Sequence, residues 1–208
     1  MEEGTGAKTV RRNISAADRR KLLVAAALRV MRRDGIAAAT TRAICAEAGM
    51  PHGAFHYCFH TKKDLYAAVL ASDREIDLDD AWPDIRPEAT PEENIATMLT
   101  AYWTQIESDP GAQQVLFELG NVALRDPELQ DLPQAEHRES LEKATGYITR
   151  LAKEAGFTYL RDEAVLADLV LATLNGVAWS WLSHRDDARA RAGLDQFAAI
   201  FANLVRTT

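Results

Sequence analysis

Between positions 41 and 63 the chain gathers side chains able to bind phosphate, base edges or metal: Thr41, Arg42, Cys45, His52, His56, Tyr57, Cys58, His60, Lys62 and Lys63. Five of them are metal-competent, Cys45, His52, His56, Cys58 and His60. A structural zinc unit, however, brings paired Cys-x2-4-Cys ligands or a spaced His pair closing its own loop. Here Cys58 alternates with histidines in a stretch whose apolar side also holds Phe55 and Phe59, so no metal is expected. The competing chemistry is recognition of duplex DNA. Phosphate contacts supply affinity and register, base edges supply sequence, and Arg42 is the best candidate for a bidentate guanine contact. Ile44, Ala48, Met50, Phe55 and Phe59 recur on the side opposite Arg42, His52, His56, Tyr57 and Lys62. That pattern predicts two short helices across a tight turn, a helix-turn-helix.

The elements that must hold this unit are legible on either side. Ser15 and Asp18 resemble a capping box, and Leu22, Leu23, Ala26, Val30 and Met31 carry a helix over about 16–33. Thr40 or Thr41 caps a helix over 42–48, Gly49 takes the left-handed conformation that ends it, and Pro51 fits the first turn of the next. A fourth helix starts at Thr61, carries Leu65, Val69, Ser72 and Ile76 on one side, and runs toward Asp79-Asp80. Three prolines within 82–91 mark a boundary. Beyond it helices are predicted at 91–108, 112–124, 134–155, 162–184 and 190–205, with no β-period alternation of useful length. The fold class is all-α with about nine helices: a three-helix head and a helical body. The divisions are a basic arm at 1–14, a DNA-binding domain at 15–62, a linking helix and proline-rich boundary at 63–90, and a body at 91–208.

Composition sets limits. With 47% hydrophobic and 26% charged residues over 208 positions the chain is globular, which excludes disorder and fibre. A net charge of −7 would argue against a nucleic-acid partner, but residues 1–70 hold twelve Lys/Arg against six acids, a net of +6, and the rest carries −13. A basic head on an acidic body is drawn to phosphate at one end only. Within the arm, Lys8, Arg11 and Arg12 can track phosphates, enter the minor groove or stay solvated. No apolar run long enough for a bilayer and no signal core are read, so a soluble, cytoplasmic protein without a membrane partner is expected. Cys45 and Cys58 are expected as free thiols. An enzyme is disfavoured: the chain has no Glu-x-x-His, no phosphate-binding glycine loop, no Gly-x-Ser-x-Gly and no His-Glu-x-x-His. No cofactor is expected.

The run Ala48-Gly49-Met50-Pro51-His52-Gly53-Ala54-Phe55-His56-Tyr57-Cys58-Phe59 with Thr61-Lys62-Lys63-Asp64-Leu65 resembles the TetR family of bacterial transcriptional regulators. The resemblance covers about 14–69, and the body matches only in length, helix count and a tryptophan-bearing penultimate helix. It implies a homodimer, binding of a palindromic operator in double-stranded DNA, most often as a repressor, and release by a small-molecule effector. It makes the third helix the recognition helix, and the DNA-contacting set Thr41, Arg42, His52, Gly53, Ala54, His56, Tyr57 and Lys62. The chain departs from the commonest pattern at Ala54, His56 and His60, so base preference does not transfer. In the body, Met98, Tyr102, Trp103, Phe117, Asn121, His137, Tyr147, Asn175 and Trp179 are candidate walls for a mostly apolar effector, with plain core packing the competing role. Leu169, Ala172, Thr173, Gly176, Leu194, Phe197, Phe201 and Leu204 are candidates for a four-helix dimer interface. A DNA-binding protein of the same fold without an effector is the alternative.

Overall fold

The computed structural model describes residues 15–72 and 78–207. The basic arm with Lys8, Arg11 and Arg12, and Ile76 of the fourth helix, lie outside the described residues. The described chain divides after Lys62 into two compact units.

In the first unit, α1 spans Ala16–Asp34, α2 Thr41–Glu47 and α3 Gly53–Cys58. Ser15 starts α1 by accepting the Asp18 N–H at 3.0 Å and donating its hydroxyl to the Asp18 carboxylate at 2.7 Å. Gly35, at φ 85°, ends it. Thr40 caps α2 by accepting the Ala43 N–H. Gly49 then turns the chain at φ +63°, a conformation that costs a residue bearing a Cβ. The expected proline position shifts: Pro51 lies two residues ahead of α3, and its carbonyl accepts the Ala54 N–H at 2.9 Å. Leu23, Ala26, Ala27, Val30 and Met31 of α1 are buried, as are Ile44, Cys45, Phe55 and Phe59. Each large side chain so buried contributes roughly 1.5 to 3 kcal/mol, which is what holds helices of seven and six residues in place.

The second unit comprises most of α4 (Lys62–Ser72), a 3-10 turn (Asp79–Asp84), α5 (Pro91–Ser108), α6 (Pro110–Arg125), α7 (Asp131–Ala155), α8 (Glu163–His184) and α9 (Asp187–Ala202). The nine α-helices of the described residues match the expected class. The proline-bearing segment is no bare linker, because Trp82 and Ile85 are buried in the core of this unit. Asn94 accepts from Arg86 N–H and donates to Arg86 C=O at 3.0 and 2.8 Å, and Arg150 lies 3.9 Å over Trp82 while pairing with Asp79 at 3.2 Å. Thr90 and Glu93 form the expected capping box of α5. Two expectations need correction at the end of the chain. The last helix stops at Ala202, and Val205–Thr207 (β2) pairs antiparallel with Phe157–Tyr159 (β1), Tyr159 opposite Val205. Strands of three residues are too short to show an alternation.

Helix α8 is long and apolar enough by length and composition to suit a bilayer, although the sequence reading found no such run. Its apolarity has two destinations instead. Leu166, Ala167, Leu174, Ala178 and Trp181 are buried in the core. Val165, Leu169 and Trp179 are 57%, 49% and 59% exposed, an apolar face that the core leaves largely uncovered.

Candidate nucleic-acid interface and ligand cavity

Around the turn, packing sorts the candidates. Arg42, His52, Gly53, His56, Tyr57 and Lys62 are exposed, with Tyr57 at 84%, while Thr41 and Ala54 are half-buried. Phe55 and Phe59, on the opposite side of the same segment, are buried with ring centroids 5.3 Å apart. His52 and His56 lie one helical turn apart, edge to face at 5.6 Å. This exposed edge combines a guanidinium, an ammonium, a phenol and two imidazoles, donors suited to phosphate and base acceptors. A Cβ placed on Gly53 would meet nothing within 4 Å, so the protein's own packing does not require glycine there.

Cys45 fixes the start of α3 from below. Its thiol donates to the His52 carbonyl at 3.6 Å and accepts from the Phe55 N–H, and burial pushes it above the usual thiol range. Both cysteines are free.

Sequence reasoning missed the arginines that hold the unit together. Arg20 donates to the Cys58 carbonyl at 2.7 Å and lies 4.3 Å over the Phe59 ring, so α1 grips the C-terminal end of α3. Arg29 and Arg33 close on the Glu47 carboxylate at 2.7 and 3.0 Å, and Arg33 also pairs with Asp34. The hydrogen bonds from Arg29 and Arg33 hold the Glu47 carboxyl below the usual carboxylate range. The four-residue spacing of Arg29 and Arg33 was a readable signal, since it puts both on one side of α1. It was counted instead as part of the +6 field.

In the body, an apolar cavity of about 110 Å³ lies among α5, α7, α8, β1 and α9. Of the nine candidates, Met98, Tyr102 and Tyr147 line it. Trp103 does not: it is fully buried, edge-on to Trp181 at 5.3 Å, with its indole N–H on Glu107. Phe117, Asn121 and Trp179 line a separate open groove between α6 and α8, where Phe117 and Trp179 meet at 5.5 Å. His137 is exposed and 3.4 Å from Asp168, and Asn175 is exposed. The cavity's missed lining includes Ser140, Lys143, Ala144, Ile148 and Leu151. Their 3–4-residue spacing marks a single face of α7. Mixing a serine and a lysine into that stripe hid it from a search for apolar walls.

The interface candidates divide as well. Leu169, Ala172 and Gly176 are exposed on α8, and Thr173, Phe197 and Leu204 are half-buried. Leu194 and Phe201 are corrected: at 4% and 2% exposure they belong to the protein's own core and have almost no surface left to offer a partner.

Residues 23–69 match the model of the bacterial regulatory proteins of the tetR family. Over 198 residues the chain is 28% identical to the HTH-type nicotine-responsive transcriptional repressor HdnoR of Paenarthrobacter nicotinovorans, covering 92% of this chain and 98% of that protein. Among solved structures, the multidrug binding protein EbrR complexed with imidazole is similar at 27% identity and a TM-score of 0.57, covering 86% of this chain and 93% of that one. A TetR-family regulator from Syntrophomonas wolfei shares the fold at a TM-score of 0.71 and 15% identity, covering 91% and 97%. The matched region contains all of α2 and α3, and the similarity to HdnoR runs through the body. The chain belongs to the TetR family of bacterial transcriptional regulators.

Proposed function

We propose that this regulator is a repressor that binds a palindromic operator as a homodimer and is released when a small, mostly apolar effector occupies the body cavity. The observation that carries the effector part is the cavity itself. Close-packed interiors have few voids larger than a water molecule, and a partly open apolar recess of about 110 Å³ walled by Met98, Tyr102 and Tyr147 enters the body. It is smaller than the roughly 300 to 1,000 Å³ of a drug-sized site. The effector is therefore a single-ring molecule, or one that widens the cavity as it enters. Widening supplies the differential affinity a switch requires, since a ligand shifts only an equilibrium whose states it binds unequally. HdnoR is named as nicotine-responsive, and EbrR is a multidrug binding protein in complex with imidazole, so both relatives are associated with small ring-bearing molecules. The DNA part is supported by the exposed set Arg42, His52, Gly53, His56, Tyr57 and Lys62, and the dimer by the exposed apolar face of α8.

Selection of bound duplexes from a random pool, followed by release with ring-sized compounds, tests the proposal. A palindromic consensus released by at least one compound is expected. Recovery of no palindrome removes the operator reading, and a palindrome that no compound releases favours a regulator without an effector.

A further inference from the structure

We infer that the effector is a single ring bearing a hydrogen-bond donor, an O–H or N–H, which the Ser140 hydroxyl oxygen accepts; this rests on reading the cavity as the effector site. Ser140 on α7 and Tyr159 on β1 both line it, and both hydroxyls send their proton to another group of the protein. The Ser140 Oγ–H donates to the Glu136 carboxylate at 2.7 Å, and the Tyr159 Oη–H donates to the Ile148 carbonyl at 3.1 Å. A hydroxyl has one proton and two lone pairs. Among the described residues neither oxygen accepts a hydrogen bond, so what each can still offer a ligand is acceptor capacity.

The charge behind Ser140 makes it the stronger of the two. Glu136 lies one turn back on α7, outside the cavity lining, and no cation pairs with its carboxylate among the described residues. A neutral acceptor on a ligand competes poorly for the serine proton, because a hydrogen bond to an ionised group is roughly twice as strong as one between neutral groups. Donating to an anion also polarises the hydroxyl, which strengthens its oxygen as an acceptor. Tyr159 gives its proton to a neutral carbonyl and gains less. Burial pushes its phenol above the usual range, so it stays a neutral hydroxyl. The other polar side chains on the wall, Lys143, Tyr102 and Tyr147, have partners within the protein. A ring carrying only acceptors would cover the Ser140 lone pairs without satisfying them, and a polar group buried in that state is destabilising. Size fits one ring: about 110 Å³ is comparable with the roughly 150 Å³ apolar cavity known to take up benzene.

The test is calorimetric titration of the full chain with phenol, anisole and toluene, which share the ring and differ in whether they carry a donor, an acceptor alone or neither. Phenol is expected to bind about fivefold or more tighter than anisole, the worth of one net hydrogen bond. Ser140→Ala, a change that suits a helix, should weaken phenol by about fivefold and shift toluene by less than about twofold. Lys143→Met should leave the ratio of phenol to anisole within about twofold of wild type. Ala144→Leu, which fills the cavity, should abolish binding of all three. Anisole bound as tightly as phenol overturns the inference, as does phenol affinity unchanged in Ser140→Ala or a ratio that collapses in Lys143→Met. Binding of all three without preference, blocked by Ala144→Leu, removes the donor requirement while the effector-site reading stands. If none of the three binds, or if Ala144→Leu blocks none of them, both fall together.

Discussion

The cations of the head differ in where they stand. Arg20, Arg29 and Arg33 bind Cys58, Phe59, Glu47 and Asp34 within the head, and Arg42 and Lys62 lie on the exposed edge. The exposed pair is the one whose removal should be read in DNA binding. Lys62→Ala is expected to weaken binding to every sequence alike and to lower the slope of log affinity against log salt by about one, because one phosphate contact releases about one counterion. Arg42→Ala should instead relax preference at one half-site position at a cost of about 1 to 3 kcal/mol. Equal loss on specific and random DNA would reassign Arg42 to the backbone. Gly53 allows a cleaner separation of folding from recognition. With open space where a Cβ would go and a position in the first turn of α3, Gly53→Ala should hold or raise thermal stability, by up to about 1 kcal/mol. If the bare backbone there approaches a phosphate, the same change should reduce operator affinity about tenfold or more, a loss of at least 1.4 kcal/mol. A variant that melts no lower and binds no worse would remove Gly53 from the interface.

At the scale of elements, α2 and α3 are too short to persist alone, since isolated helices below about 12 residues are marginal in water. Their support comes from α1, and Glu47 is the joint whose titration can be read. Its folded-state carboxyl is held low by Arg29 and Arg33, so the stabilisation is fully present above the unfolded value near 4.3. It is lost as pH falls through the depressed folded value. Glu47→Gln should therefore lower the urea midpoint at pH 7 and differ much less from wild type at pH 3. A gap that stays constant across that range would mean the ion pairs contribute nothing. The helices themselves were legible because caps and stops are local: Ser15, Thr40, Gly49 and Thr90 each act on a neighbour within a few residues. The arginine clamps were not, because Arg20 and Cys58 are 38 positions apart and no periodicity joins them. The cavity was half legible for the same reason. Tyr102 and Tyr147 announce themselves as aromatic, but whether a wall residue faces a void or a neighbour, as Trp103 does with Trp181, is decided by packing between distant helices.

For the whole molecule, the decisive surface is α8. Its exposed residues Val165, Leu169, Ala172, Gly176 and Trp179 follow alternating steps of four and three, the spacing that brings one side of a helix against a partner helix. Ala172 and Gly176 have almost no side chain, so a second helix could approach closely between the larger Leu169 and Trp179. This face cannot belong to the protein's own core, since Leu166, Leu174, Ala178 and Trp181 already fill the other side. In an isologous pair each residue is used twice, so one substitution places two charges in the same interface. Leu169→Glu should accordingly convert a dimer to a monomer, with like charges and desolvation costing at least about 2 kcal/mol, and should leave helical content unchanged because Leu169 is exposed in the monomer. Sedimentation equilibrium gives the mass, and circular dichroism checks the fold. Operator affinity should fall by about a hundredfold or more, while a single half-site should be bound as weakly by the variant as by wild type, since avidity from two linked sites is what the substitution removes. A Leu169→Glu protein that sediments at the wild-type mass would move the interface off this face of α8.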